Sequence, residues 1–457
     1  MNYLIIILLL LTAPFHAEQY SEVEGVWSGA IEIYGEELAI HITFSYSDEE
    51  LDGTLDIPQQ QAFNLPVEVV RSEGEEITFQ FETGTGPAIF HGVWSAVARS
   101  ISGEFEQVGE RFPFYLNKQN RSGLASDEQT EMDLIIPTRA GEIGGTLLLQ
   151  SEPTPLVILL TGSGSQDRDE TVAGFRVFNV LSRELYQNGF SSFRFDDRGV
   201  GASTGNVDAS LNELAEDLID IVNFLRNEYR GHFTELIFLG HSQGGLVASI
   251  AASEADPDGL IFMATPFLSV DETINQQIIK LSEAQEIPED VMNMNLEFQE
   301  RVYEVVRTGA SWEEVEESLR ERLTEQINQL PEAQRDALGD MSGFIQSQID
   351  RQLSAAKSDW FKSLIEFQPD EMLMELNVPI LALFGEKDMQ VFPDSNIREV
   401  INLRNQYDNE VEYRVIPDAN HLFQKAETGL PSEYGMLERA FADEFIATIV
   451  EWLSRLE

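Results

Sequence analysis

The amino-acid sequence predicts an α/β fold, a mostly parallel sheet flanked by helices with a helical cap inserted into it, preceded by an antiparallel β-rich N-terminal domain. Three observations carry this. Between Gly25 and Asn117, short stretches alternate apolar and polar residues and are separated by turn residues. After Met132, continuous apolar runs alternate instead with helical patterns. Between Pro266 and Asn377, a Glu- and Gln-rich helical stretch separates two of those runs.

The N-terminal domain, 20–118, rests on a period of two. Ala30–Tyr34, Leu38–Tyr46, Val67–Arg71, Ile77–Glu82, Ile89–Trp94 and Ile101–Gln107 each alternate as half-buried strands do. So many in succession point to a barrel or a sandwich. Gly-Val-Trp occurs at Gly25–Trp27 and again at Gly92–Trp94, read as two similar strand ends each packing a Trp. The polar stretch 119–130 reads as a linker.

The catalytic domain, 131–457, opens with a hairpin, Met132–Ile136 and Ile143–Leu149. Strand runs follow at Leu156–Leu160, Ser192–Phe195, Leu236–Leu239, Leu260–Ala264, Ile380–Phe384 and Glu412–Ile416. Helices are expected at Phe175–Gln187, Leu211–Glu228 and Gly244–Glu254. In a final helix Leu437, Phe441, Phe445, Ile449 and Trp452 would share one face. Apolar strands without alternation are those of a sheet covered on both sides. The interruption, 266–377, is too long for a loop and reads as a cap.

Composition bounds the function. The chain has no Cys, which excludes thiol catalysis and Cys-based metal sites. Asp and Glu number 80 against 29 Lys and Arg, for a formal charge of −51, spread along the chain. Nucleic acid and anionic membranes are therefore poor partners. A surface of this kind repels itself in dilute buffer and is screened at 1 M salt, where the Debye length is about 3 Å; a salt-adapted, halophilic protein is expected, an ordinary acidic secreted protein being the alternative. The apolar run Leu4–Leu11, followed by Thr12-Ala13-Pro14 and a small residue at Ala17, reads as a signal peptide over 1–17. An uncleaved N-terminal anchor is the alternative, since the first residues lack Lys and Arg. The run is too short to span a bilayer, which takes about 20 residues.

The chemistry centres on Gly240-His241-Ser242-Gln243-Gly244, a G-x-S-x-G pattern that follows a buried strand and opens an Ala-rich helix. Ser242 is the expected nucleophile. A neutral hydroxyl needs a base, and the chain has six His. His16 falls in the signal, His41 and His91 in the β-rich domain and His232 in a polar segment. His241 is expected to point away from its own elbow. His421, in Asp418-Ala419-Asn420-His421 after a strand, remains. The acid that orients it is expected at Asp388, with Glu386 and Asp394 as competitors. Asp418 lies too close to His421 in sequence. Oxyanion donors are expected from the backbone N–H of Gln243 and from the loop Thr161-Gly162-Ser163-Gly164-Ser165, at Ser163 with Gly164 as rival. No Gly-Lys-Ser/Thr follows that loop, which argues against a phosphate site. Neither metal nor cofactor is required.

The motifs TGSGSQDRDE, RFDDRGVGAST, GHSQGG, FGEKD and DANHLF, in this order from Met132 to Glu457, resemble those of the EstD-like bacterial carboxylesterases of the α/β-hydrolase superfamily. The resemblance implies an α/β-hydrolase fold, hydrolysis of short-chain carboxylic esters, and Ser242, Asp388 and His421 as triad; with the signal peptide, an exported bacterial protein, periplasmic or extracellular, is expected. Gln243 stands where EstD-like members often have Glu, and GHSQGG also occurs in cinnamoyl and feruloyl esterases. Asp167 and Arg168 have two readings, lining the pocket mouth or fixing loops through ion pairs, the second being favoured. The partner expected is a small-molecule ester, without nucleic acid or integral membrane association, and a homodimer is compatible with the reading. Three rivals stay open: a feruloyl esterase, a prolyl-oligopeptidase-like peptidase, and a ligand-binding protein acting through its N-terminal β domain.

Overall fold

A computed structural model describes Val23, the strands between Gly25 and Lys118 without most of their connections, and residues 131–456 apart from short gaps within 330–339, 370–375 and at 408–409. The signal peptide, 1–17, and the linker, 119–130, lie outside the described residues. The chain divides into two compact units, Met1–Ala125 and Ser126–Glu457.

In the first unit eight antiparallel strands run as sequential neighbours. They are β1 Gly25–Ile33, β2 Glu36–Ser47, β3 Glu50–Ile57, β4 Ala62–Glu73, β5 Glu76–Thr83, β6 Gly86–Ser95, β7 Ser100–Gln107 and β8 Glu110–Lys118. β8 pairs back onto β1, Trp27 opposite Lys118 and Ile31 opposite Phe114, and closes a barrel. The alternation seen in the sequence puts one set of side chains inside. Phe79 stacks on Phe90 at 4.6 Å and Phe114 meets Phe90 edge-on at 5.0 Å. The two Trp of the Gly-Val-Trp triplets, Trp27 and Trp94, pack against each other at 5.9 Å. These side chains form a hydrophobic core inside the barrel. β3 and β8 are two strands that alternation alone does not reveal, because β3 carries Gly53 between Asp52 and Asp56 and β8 carries Pro113.

The second unit is built on an eight-stranded sheet. Its strands are β9 Glu131–Thr138, β10 Gly141–Leu148, β11 Thr154–Leu160, β14 Ser191–Phe195, β15 Phe233–His241, β16 Gly259–Met263, β17 Ile380–Gly385 and β18 Val411–Ile416; β12 Thr171–Val172 and β13 Phe175–Arg176 form a separate small hairpin. The order is β18-β17-β16-β15-β11-β14-β10-β9. The β9–β10 and β10–β14 pairs are antiparallel and the rest parallel. Both faces are buried, as the unbroken apolar runs require. In β11, Leu156, Ile158 and Leu160 join the core under helices α2 Leu211–Glu228 and α3 Gln243–Ala255. Val157 and Leu159 join the opposite core under α1 Val177–Gln187 and α10 Phe445–Leu453.

Among the described residues, five helices lie between β16 and β17: α4 Val270–Ala284, α5 Glu289–Thr308, α6 Glu313–Gln329, α7 Met341–Ser354 and α8 Asp359–Glu366. They share a core of their own that includes Val302, Tyr303, Ile349 and Phe361. α9 Pro393–Tyr407 links β17 to β18. The C-terminal helix is shorter than its periodicity suggests. Leu437 and Phe441 precede it, because the backbone there is taken by tertiary pairing: Phe441 bridges Gln424, and Ala442 N–H donates to Phe423 O at 2.8 Å. No described helix is long and apolar enough to cross a membrane.

Candidate active site

Ser242 stands between the end of β15 and the first turn of α3, with φ +50° and ψ −117°. A non-glycine residue in that region is strained by about 1–3 kcal/mol, so its surroundings must hold it there. Ser242 N–H donates to Met263 O on the neighbouring strand at 2.8 Å. The flanking glycines explain themselves by distance. A Cβ on Gly240 would lie 2.3 Å from Gly244, and one on Gly244 would lie 2.3 Å from Leu160 O and 2.6 Å from Thr161 O. The turn is thus wedged against the end of β11, where the loop 161–165 begins.

His421 and Asp388 meet in a buried pair, Nδ1 2.8 Å from Oδ2. The other oxygen of Asp388, Oδ1, accepts the backbone N–H groups of Gln390 at 2.7 Å and Val391 at 2.8 Å. With the carboxylate held this way, Nδ1 carries the proton and a neutral His421 presents a bare Nε2, the state a general base needs. Asn420 fixes the loop by accepting the N–H of Leu422 and of Gln424 on Oδ1, at 3.0 and 2.9 Å. The competing carboxylates are engaged elsewhere or lie apart. Glu386 accepts the Asp418 N–H at 2.9 Å, Asp418 pairs with Lys387 at 2.8 Å, and Asp394 sits in the first turn of α9.

The loop after β11 holds Ser163 and Gly164 exposed, Gly164 with φ +93°. Its neighbours are tied down. Gly162 N–H donates to Glu170 Oε1 at 2.7 Å, Thr161 O–H to Asp197 Oδ1 at 2.9 Å and Gln166 N–H to Asp197 Oδ2 at 2.9 Å. Burial pushes the Asp197 carboxyl up to about 7, against the hydrogen bonds from Gln166 and Thr161, and the charges of Glu170 and Asp196 act in the same direction as burial. A carboxyl that binds its proton more tightly folded than unfolded adds stability that is complete below about pH 4 and is lost as pH rises through about 7. Asp197→Asn, neutral at every pH, is expected to lose less thermal stability than the parent between pH 5 and pH 8. Parallel melting curves for the two proteins across that range would refute it.

Asp167 and Arg168 contact protein groups that fix loops. Asp167 accepts the Thr171 O–H at 3.0 Å and the Asp169 N–H at 3.0 Å. Arg168 clasps Asp196 in a bidentate pair at 2.6 and 3.0 Å, and reaches Thr146 and Asp133 on β10 and β9 at 2.9 and 3.1 Å. In the second Arg-Asp motif Arg198 pairs with Asp217 on α2. Together the two motifs strap the loops after β11 and β14 to the sheet and its covering helix.

Five contacts escape sequence reasoning. Trp360, on cap helix α8, donates its indole N–H to the side chain of Gln243 at 2.6 Å. The helix itself is docked through Asp208, which accepts the Trp360 N–H at 3.1 Å, and Ser363, which accepts the Leu211 N–H at 2.9 Å. Glu170 and His241 form a buried pair, 2.7 Å apart, and His241 Nε2 lies 3.1 Å from His421 O. His241 therefore stands beside His421, their ring centroids 4.8 Å apart. Glu170 could have been suspected as the last acid of the QDRDE motif, whereas neither periodicity nor spacing marks Trp360. Among the described residues, no group of three or more His, Asp or Glu is placed to hold a metal ion.

A parallel sheet whose strand runs into a strained serine turn, with a helix behind it, defines a serine hydrolase of the α/β-hydrolase fold. The chain belongs to the family described as serine aminopeptidase, S33, whose model matches residues 174–425. Esterase EstD of Thermotoga maritima is 24% identical over 331 residues, covering 71% of this chain and 67% of that protein, in agreement with the resemblance carried by the motifs. Solved structures with similarity include the Pyrococcus furiosus esterase Pf2001, 16% identical with a TM-score of 0.43 over 72% of this chain and 91% of that one. A thermophilic esterase from Thermogutta terrifontis is 22% identical, TM-score 0.39, over 71% and 99% of the two chains. Est1E from Butyrivibrio proteoclasticus, solved with ferulic acid bound, is 16% identical, TM-score 0.39, over 70% and 96%.

Proposed function

We propose that the chain is a carboxylesterase that hydrolyses short-chain carboxylic esters through an acyl-enzyme on Ser242. The observation that carries this is the buried His421–Asp388 pair, which leaves His421 Nε2 as acceptor in the domain that also holds the strained Ser242 turn. His421 takes the Ser242 proton as the hydroxyl oxygen attacks the ester carbonyl. Charge that develops on the carbonyl oxygen is met by the N–H groups of Gln243 and Ser163, Gly164 being the alternative on the second side. The C–O bond to the alcohol breaks as His421 returns the proton to it. Water then attacks the acyl-enzyme by the same route and frees Ser242.

The choice of ester over amide is supported by the motifs shared with EstD-like carboxylesterases and by the EstD match. The family's description names an aminopeptidase, so the rival is tested beside it. A panel of p-nitrophenyl acetate, butyrate and octanoate, methyl ferulate and aminoacyl p-nitroanilides is expected to give the highest kcat/KM on acetate or butyrate. A preference for the anilides would establish a peptidase, and one for methyl ferulate a feruloyl esterase. Export and adaptation to salt belong to the same proposal, resting on the apolar run at the N-terminus and the charge of −51. Repeating the panel in molar salt should raise activity; a steady decline with salt would discard that part.

A further inference from the structure

His241 and Glu170 have no step in that mechanism, yet they are buried beside it, at 3% and 1% exposure. Their hydrogen bonds limit where the protons sit. The His421 carbonyl oxygen can only accept, so His241 Nε2 carries a proton. Glu170 Oε1 already accepts the Gly162 N–H at 2.7 Å, and lies 2.7 Å from His241 Nδ1. A proton on Nδ1 as well makes His241 an imidazolium facing a carboxylate. Burial opposes a charged ring here, but the Glu170 charge, its hydrogen bond and the His421 carbonyl outweigh burial and hold the pKa of His241 above the ordinary value.

The surroundings are shaped to this pair. Glu170 has φ +48°, a strained conformation for a side-chain-bearing residue. A Cβ on Gly162 would come within 3.0 Å of Glu170 Oε1 and 3.4 Å of His241 Nδ1, so glycine lets the two approach. The second carboxylate oxygen of Glu170 is buried with no hydrogen-bond partner among the described residues. A cation 2.7 Å from Oε1 supplies the charge that balances a carboxylate buried in this way.

We propose that Glu170 and His241 are positioning residues, a charged clamp that sets the oxyanion loop through Gly162 and the base loop through the main chain of His421. The clamp joins the two sides of the reaction: the peptide after Gly162 bears the Ser163 N–H, and the carbonyl it holds belongs to the base itself. It also places a positive charge beside the His421 ring, with Glu170 on the far side of that charge, so that loss of the pair is expected to show in the pH dependence of activity. The other titratable groups around the two rings are Asp388, the Tyr434 hydroxyl and, behind Glu170, Asp197. The inference rests on Ser242 and His421 acting as proposed above.

The test uses the full chain, with p-nitrophenyl butyrate as substrate from pH 4.5 to 9 and rates expressed per serine labelled at end point by a fluorophosphonate. Glu170→Ala is expected to lower kcat by about 10- to 100-fold with KM nearly unchanged. Glu170→Gln keeps an acceptor for Gly162 but not the charge; without that charge burial leaves His241 neutral, so part of kcat should be recovered while the acid limb of kcat/KM moves up by about one pH unit. His241→Gln should move the limb in the same direction. If Glu170→Ala does not fold, the two Gln variants carry the test. Parent-like kcat per labelled serine in the variants would overturn the clamp, and so would a lower kcat with an unmoved acid limb, which packing alone produces. A parent enzyme that takes up no label would instead remove the Ser242 assignment on which the clamp depends.

Discussion

Ser242→Ala is expected to lower ester turnover by about 10⁶-fold while the protein folds as before. Removing the hydroxyl leaves His421 with no proton to take and the substrate with no atom to join. The backbone is indifferent to the change, because Ala carries the same Cβ as Ser at φ +50° and bears the same strain. Ser242→Gly separates the two effects. It should be equally inactive but more stable, by about 1 kcal/mol, since glycine occupies positive φ without strain. Chromogenic ester assays and thermal melts on the three proteins check this. Turnover in the Ala variant within tenfold of the parent would show that another group is the nucleophile.

Asp388→Asn should be nearly as severe, about 10⁴-fold in kcat, for a reason the hydrogen bonds make specific. Oδ1 accepts two backbone N–H groups, from Gln390 and Val391, so the amide that replaces the carboxylate must keep its oxygen there. Its NH₂ then faces His421 Nδ1, where Oδ2 stood at 2.8 Å. A donor at that place drives the ring proton to Nε2, and the base is lost in the wrong tautomer. Measurement of kcat at pH 8, with circular dichroism as a control for folding, decides it. A variant with more than one tenth of the parent's kcat would mean that a different acid, such as Glu386, orients the ring.

What could be read from the sequence follows from how local each signal is. The sheet was legible because β11, β15, β16 and β17 are buried on both faces and so are apolar at consecutive positions. The strained serine turn was legible because it needs glycines on both sides, and His421 was singled out because few His remained to choose from. Where elements draw on distant partners, the pattern misleads. Phe441 keeps helical spacing with Phe445 although its backbone pairs with Gln424, and Pro113 and Gly53 hide two strands whose stability comes from their neighbours in the barrel. The Glu170–His241 pair joins the loop after β11 to the end of β15, and nothing at either residue announces the other. Trp360 is similar. Helical periodicity marks the buried face of α8, but only the packed cap shows that its indole meets Gln243.

The closing of the barrel by β1 and β8 has a kinetic consequence. The two strands lie at opposite ends of the segment, so their ladder has the largest loop to close and is expected to form late in folding. Until it does, both strands present open edges, to which a second chain could add as readily as the correct partner. A chain of charge −51 meets copies of itself with strong repulsion. Its acidity thus guards the half-formed barrel against misassembly during the interval in which its edges are unpaired.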